Sequence, residues 1–347
     1  MSTSKNKMSK IDNYNPAKTK LGFVIPTRNR PDELRECLQS IIAEIQDYSF
    51  PIYVSDNASD PSKNVESVII EMKKLYPHIY WHQFSKNVGF DRNVLHVIQM
   101  AQSEFIWLFG DDDILLPNAV HKLLSFLENH KEKPVCFIVN WQQRSDDFQT
   151  IRRNNCLGII EDEITNDFNR ILTQYGSFAL SFVSCLVISR EKINIFEYEK
   201  YLGSDLVHSF IFLEIATMGN IVLVADTLLW QRVAVSNWSF IDSAARILIV
   251  EMLKFMLLLP SSYERQKFSK LLSGTNSHFE GKFKNRYINI SALYSNGHLN
   301  SKNLKDLAKI SLHLRWYIMA VFCMFLYLMP SFALQKFYLF FKRLKYF

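Results

Sequence analysis

The chain has 347 residues, with 48% hydrophobic and 21% charged side chains and only 10 Gly and 10 Pro, so it can bury a real core and is neither a fibrous nor a disordered protein. Its net charge of +6 is concentrated beyond Ser301, where eight Lys/Arg face the single acid Asp306. A near-neutral body argues against nucleic acid as a partner, and a basic, apolar end points to an anionic lipid surface. The five cysteines, Cys37, Cys136, Cys156, Cys185 and Cys323, have no zinc spacing and fit a reducing cytosol. Residues 1–19 are rich in Lys, Ser and Asn without an apolar stretch, and read as a flexible leader rather than a signal peptide.

The apolar run Leu21 to Pro26 predicts a buried strand. Pro31, with Asp32 and Glu33 behind it, then opens a helix whose apolar face carries Leu34, Leu38, Ile41, Ile42 and Ile45. Residues 52–55 read as a second strand, followed by the polar loop DNASDPSKN. A helix from Val65 to Leu75, a strand from Ile79 to Phe84 and a helix from Val94 to Ala101 come next. A fourth strand, 105–109, is cut off by Gly110 and three acids. A helix from Asn118 to Glu128 and a strand from Val135 to Asn140 complete the alternation. Beyond residue 150 the pattern weakens to a strand at 183–189, a helix at 205–218 and two strands at 220–225 and 228–233. From Ala244 onward it is helical, apolar and basic.

Such alternation predicts an α/β domain over residues 20–243, with a mainly parallel sheet flanked by helices. Ligands in these sheets bind beyond the carboxyl ends of the strands, where the polar clusters of this sequence fall. Asp111, Asp112 and Asp113 offer hard oxygens suited to Mg2+ or Mn2+, which in turn would hold phosphate; a solvated loop with helix-capping acids is the alternative. Asp56, Asn57, Ser59 and Asp60 can take hydrogen bonds from a base or ribose, or serve as turn caps. Asn87, Gly89, Arg92 and Asn93 precede a helix, where Gly89 allows close backbone approach and Arg92 can pair with phosphate, or can simply sit at the surface. Asp205 stands at a helix start as a base or a plain cap, and His208 reads as a packing residue. The phosphate loop, the dinucleotide fingerprint and the nucleophile elbow are all absent from the sequence.

Taken in order, IPTRNRPDELRECLQSI, VSDNASD, NVGFDRN and WLFGDDDILLP resemble the nucleotide-binding half of family 2 glycosyltransferases with the GT-A fold. Within that family the chain is most similar to bacterial transferases that build surface polysaccharides such as O-antigen or capsule. The resemblance implies that Pro26, Thr27 and Arg28 line the nucleotide base, that Asp56 bonds it, and that Arg92 lies near it or the phosphates. It also implies an inverting transfer from a nucleotide sugar to a lipid-linked or polymeric glycan. The family's usual D-x-D-D places its first Asp on Gly110, which leaves Asp112 as the direct metal ligand and Asp111 as a ribose or second-sphere contact. Asp205 takes the position of the general base, and Arg232 that of a diphosphate contact. A nucleotidyltransferase and a non-catalytic sugar-nucleotide-binding module are the rival readings. The first lacks a triphosphate loop, and intact Asp112 and Asp205 speak against the second.

Residues 316–334 form an apolar stretch about 28 Å long as a helix, close to a bilayer core. Both of its flanks are basic, and Pro330 interrupts it. The pattern predicts that the helical region 244–347 lies in the membrane interface, which would hold the protein peripherally on the inner face of the cell membrane. A helix that spans the bilayer and packing of these helices on protein are the alternatives.

Overall fold

The computed structural model describes residues 19–129, 133–175 and 179–233, together with 259, 261–264, 304–305, 308, 323–324 and 328. The expected leader up to residue 18, and most of the expected C-terminal helical region, lie outside the described residues. Contacts divide the chain into one unit of residues 1–168 and 178–235, and a second of 169–177 and 236–347.

The first unit is built on one sheet. Its strands are β1 (Leu21–Thr27), β2 (Ile52–Asp56), β3 (Ile79–Gln83), β4 (Phe105–Leu108), β5 (Ile114–Leu115), β6 (Cys136–Ser145), β7 (Ile151–Arg153), β8 (Glu163–Thr165), β9 (Leu186–Ser189) and β10 (Ile221–Val233). The helices are α1 (Pro31–Ile45), α2 (Val65–Leu75), α3 (Phe90–Met100), α4 (Ala119–Asn129), α5 (Phe168–Tyr175) and α6 (Val207–Ala216). The order across the sheet is β3-β2-β1-β4-β9-β6-β10-β5, with β7 beside β6 and β8 beside β10. β3, β2, β1 and β4 run parallel, as do β6 and β10. β9 runs antiparallel between β4 and β6.

The expected α/β alternation is therefore present, and its physical basis is plain. Every residue of β1 is buried, because both faces of this central strand are covered. On one side α3 packs against β1 and β2 and buries Val94, Leu95, Val97 and Ile98. The rings of Phe23 and Trp107 stack at 5.5 Å across β1 and β4, with Phe109 edge-on to both.

Several boundaries differ from expectation. α3 starts at Phe90 rather than Val94, because Asp91 and Asn93 in its first turn are buried and bonded inward instead of solvated. Residues 183–185 form a 3-10 turn ahead of a four-residue β9. The two strands expected between 220 and 233 are one strand, β10, whose pairing with β6 shifts register between Val224 and Leu229. α6 begins at Val207, and Asp205 lies before it with φ 57, in the left-handed region that Asp tolerates better than most residues.

All of α5 after Phe168 belongs to the second unit. There the Glu264 amide donates to Asn169 Oδ1 at 2.9 Å. Among the described residues, no helix is long and apolar enough to cross a membrane.

Candidate active site

The loops after β1, β2 and β3 lie side by side because their strands do, and they are laced together. The Asn29 amide donates to Ser59 Oγ at 2.8 Å, and Asn29 Oδ1 accepts from the Asp60 amide at 2.7 Å. Asn57 Oδ1 accepts from the Val88 amide at 2.7 Å, which ties down the loop carrying Asn87 and Gly89. Gly89 has φ +87 with open space around it, a conformation that disfavours a side chain on backbone grounds alone. Asp56 is fully buried: Oδ1 accepts from the Ser59 amide and hydroxyl, and Oδ2 accepts from Gln83 Nε2 at 2.8 Å. Pro26 and Thr27 are buried, while Arg28, Asn87 and Arg92 are exposed around the same edge.

The acid turn follows β4 directly. Asp111 Oδ2 accepts from Thr27 Oγ1 at 2.8 Å, and its Oδ1 from Arg30 Nη1 at 3.1 Å. The same Arg30 nitrogen reaches Asp112 Oδ2 at 2.5 Å. Asp113 turns inward: Oδ2 accepts from Ser184 Oγ at 2.5 Å, and Oδ1 from the Arg232 amide at 3.1 Å. Burial, reinforced by the charge of Asp112, pushes the Asp111 carboxyl up to about 7, with Arg30 and Thr27 acting against the rise. Burial and the same neighbour raise Asp113 too, against the bonds from Ser184 and Arg232. A side chain at Gly110 would begin 3.0 Å from Asp113 and 3.2 Å from Ser184 Oγ. The Gly110 amide also donates to that hydroxyl at 2.7 Å, so the turn leaves little room for an acid at this position.

The far side of the site comes from α6 and β10. Asp91, 3% exposed, reaches from α3 to the segment before α6. Its Oδ2 accepts from the amides of Gly203 at 2.7 Å and Asp205 at 3.0 Å, and its Oδ1 from the Val207 amide at 3.2 Å. A carboxylate from another helix thus caps α6 and fixes the backbone of Asp205, whose own side chain is half-buried. The Arg232 guanidinium is held by the Asp112 and Asp146 carbonyls, at 3.1 and 2.6 Å, and by Glu36, and it lies over the Phe148 ring. In this state it braces the acid turn from behind.

Among the described residues, no group of three or more Asp, Glu, His or Cys converges to hold a metal by itself. Asp112 is the open member of the turn, with its side chain 29% exposed against 9% for Asp111. One or two hard oxygens at a strand end fit a Mg2+ or Mn2+ that completes its shell with diphosphate oxygens and water.

Residues 23–195, which hold the three interlaced loops and the acid turn, match the profile of glycosyl transferase family 2. The chain belongs to that family. Among its relatives is the abequosyltransferase RfbV of Salmonella typhimurium, 28% identical over 207 residues, which are 56% of this chain and 60% of the relative. A second, an uncharacterized glycosyltransferase of Methanocaldococcus jannaschii, is 27% identical over 34% of this chain and 40% of the relative. The chain therefore spans less than two thirds of the length of these curated relatives. S. aureus TarS 1-349 in complex with UDP has a TM-score of 0.54 at 15% identity, covering 89% of each chain. The mannosyltransferase PcManGT of Pyrobaculum calidifontis, in complex with GDP-Man and Mn2+, has a TM-score of 0.50 at 16% identity, covering 89% of this chain and 86% of that one. At these identities the likeness is one of fold, and the fold is GT-A.

The family 2 domain brings Pro26, Thr27, Arg28, Asp56, Asn57, Asn87, Gly89 and Arg92 to one edge of the sheet, beside Asp111 and Asp112. Asp205 is joined to that edge through Asp91, and Arg232 lies against the turn. Sequence reasoning passed over Arg30, Glu36, Asp91 and Ser184, all of which hold these groups. Asp91 carried a signal: it falls on the helix face of Val94, Leu95 and Ile98, where an acid must find buried donors. Ser184 carried none.

Proposed function

We propose that the chain transfers one sugar from a nucleotide-sugar donor to a hydroxyl of a lipid-linked or polymeric surface glycan, using Mn2+ or Mg2+ and inverting the anomeric carbon. The observation that supports this most is the acid turn itself. It holds Asp112 open at a strand end, next to base-side loops and within one bonded network of Thr27, Arg30, Ser184 and Arg232. A sugar transferase by name among the relatives supports the reaction class. The UDP and the GDP-Man/Mn2+ complexes of similar folds support the donor class and the cation.

In this reading Pro26, Thr27, Arg28, Asp56 and Asn57 flank the base, and Arg92 faces the base or the phosphates. Asp111 bonds the ribose or orients Asp112. A cation at Asp112 would neutralise the charge that develops on the departing nucleoside diphosphate. Asp205 accepts the proton of the acceptor hydroxyl as that oxygen attacks the anomeric carbon from the face opposite the diphosphate, a contribution of roughly 10²–10⁴ in rate. The basic, apolar residues beyond Ser301 would keep the enzyme on the inner face of the cell membrane, beside a lipid-linked acceptor.

Calorimetry with UDP, GDP, CDP and TDP, in Mn2+ and in chelator, tests the reading. One diphosphate should bind in Mn2+ and lose affinity on chelation or in Asp112→Asn. Equal affinity in all conditions would remove the cation from the proposal. Binding without turnover of any nucleotide sugar would leave a binding module.

A further inference from the structure

Arg30 differs from the other cation at the acid turn. Arg232 is wrapped by two carbonyls, Glu36 and a ring, and its side chain is 12% exposed. The Arg30 side chain is 47% exposed, and one of its nitrogens sits between Asp111 Oδ1 and Asp112 Oδ2. That contact is not the two-pronged fork in which Arg grips a carboxylate most firmly. It is a positive charge placed where two like charges would otherwise repel.

The backbone beneath Arg30 is anchored on both sides. Asn29, with φ 59, is held by Ser59 and Asp60, and the Arg30 carbonyl accepts the Leu34 amide at the start of α1 at 3.0 Å. The side chain alone is therefore free to change partners. The position it fills is the one a small divalent cation would seek, because both need the Asp111 and Asp112 oxygens that face Arg30.

We propose that Arg30 is the internal counter-ion of the acid turn. It competes with the divalent cation for Asp111 and Asp112, and an incoming diphosphate releases it by offering another anion. Cation and nucleotide then bind cooperatively, each raising the affinity of the other by the same factor. The turn stays neutralised when the site is empty, and the cation is admitted mainly with its diphosphate. The inference rests on the cation reading of Asp112.

The test measures Mn2+ binding to the full chain by calorimetry and electron spin resonance, first with Mn2+ alone and then with UDP, GDP, CDP and TDP in turn. Arg30→Gln should bind Mn2+ alone on the order of tenfold more tightly than the wild type, because a competing charge is gone. The gain in Mn2+ affinity on adding the diphosphate should shrink by a similar factor. Arg30→Lys, which keeps the charge, should stay within about threefold of the wild type and guards against a folding defect in the glutamine variant. If Arg30→Gln binds Mn2+ alone no better than the wild type, while Mn2+ still binds with a diphosphate, Arg30 is not a competitor and the cation reading survives. If no variant binds Mn2+ even with a diphosphate, the cation reading fails and takes this inference with it.

Discussion

The two sides of the site are assembled over very different spans of chain. On the side proposed for the base, the bonds that join one loop to the next link residues 27 to 31 positions apart. That span is one strand–helix unit, so adjacent parallel strands deliver these loops as neighbours. On the side proposed for the acceptor, the bonds that hold Asp113, Asp205 and Arg232 link residues 71 to 196 positions apart. These bonds run from side chain to backbone, or between side chains, and all but those of Arg232 to Asp146 and Glu36 are buried or partly so. The base side is a product of repeated local order, and the acceptor side depends on single polar contacts between distant segments. Substitutions should therefore act locally on the first and propagate on the second.

The largest expected effect tests whether the acceptor side carries the chemistry. Asp205→Asn should leave diphosphate affinity unchanged and lower turnover by about 10² or more. A variant with near-normal turnover would move the base elsewhere on α6 or its approach.

The next test concerns pH. His208, one turn beyond Asp205, is buried edge-on to Phe90. Burial depresses its ring to about 4, against opposing contributions from the Ser181 and Leu180 backbone and the Asp205 charge. Above about pH 6.5 both the folded and unfolded chains carry it neutral; below that the unfolded chain takes up a proton and the folded chain does not. Stability should fall as pH drops from about 6.5 toward 4, by at most about 3 kcal/mol from this group. Melting of the wild type and His208→Gln at pH 7 and pH 5 checks the sign, since the variant should lose less on acidification. Parallel losses would mean that His208 titrates normally.

The smallest effect sharpens the contrast directly, with one serine from each side. Ser184→Ala strands Asp113 Oδ2 and the Gly110 amide, and should cost about 2 kcal/mol. Ser59→Ala removes a hydroxyl bond to Asp56 but leaves the Ser59 amide donating to the same oxygen; the Asn29 amide it also frees belongs to a half-exposed residue within reach of water, and the change should cost about 1 kcal/mol. Urea unfolding of the two variants measures the difference. Equal losses would show that span along the chain does not matter to the strength of these contacts.

What the sequence by itself determined is the base side. Apolar runs separated by amphipathic helices specify β1 to β4 with α1 to α3, because each strand–helix unit buries its own apolar face against its neighbour. Polar residues left at the strand ends, Thr27, Asp56, Asn57 and Asp111 to Asp113, then mark the candidate site without further help. The short strands β5, β7 and β8 had no legible pattern, since two or three residues carry no period. The left-handed Asp205, the unbroken β10, and the roles of Arg30, Glu36, Asp91 and Ser184 were decided only by tertiary structure. Each depends on which distant donor meets a buried or crowded carboxylate. A serine or an arginine has the same local signature whether it faces water or closes an acid turn 70 or more residues away.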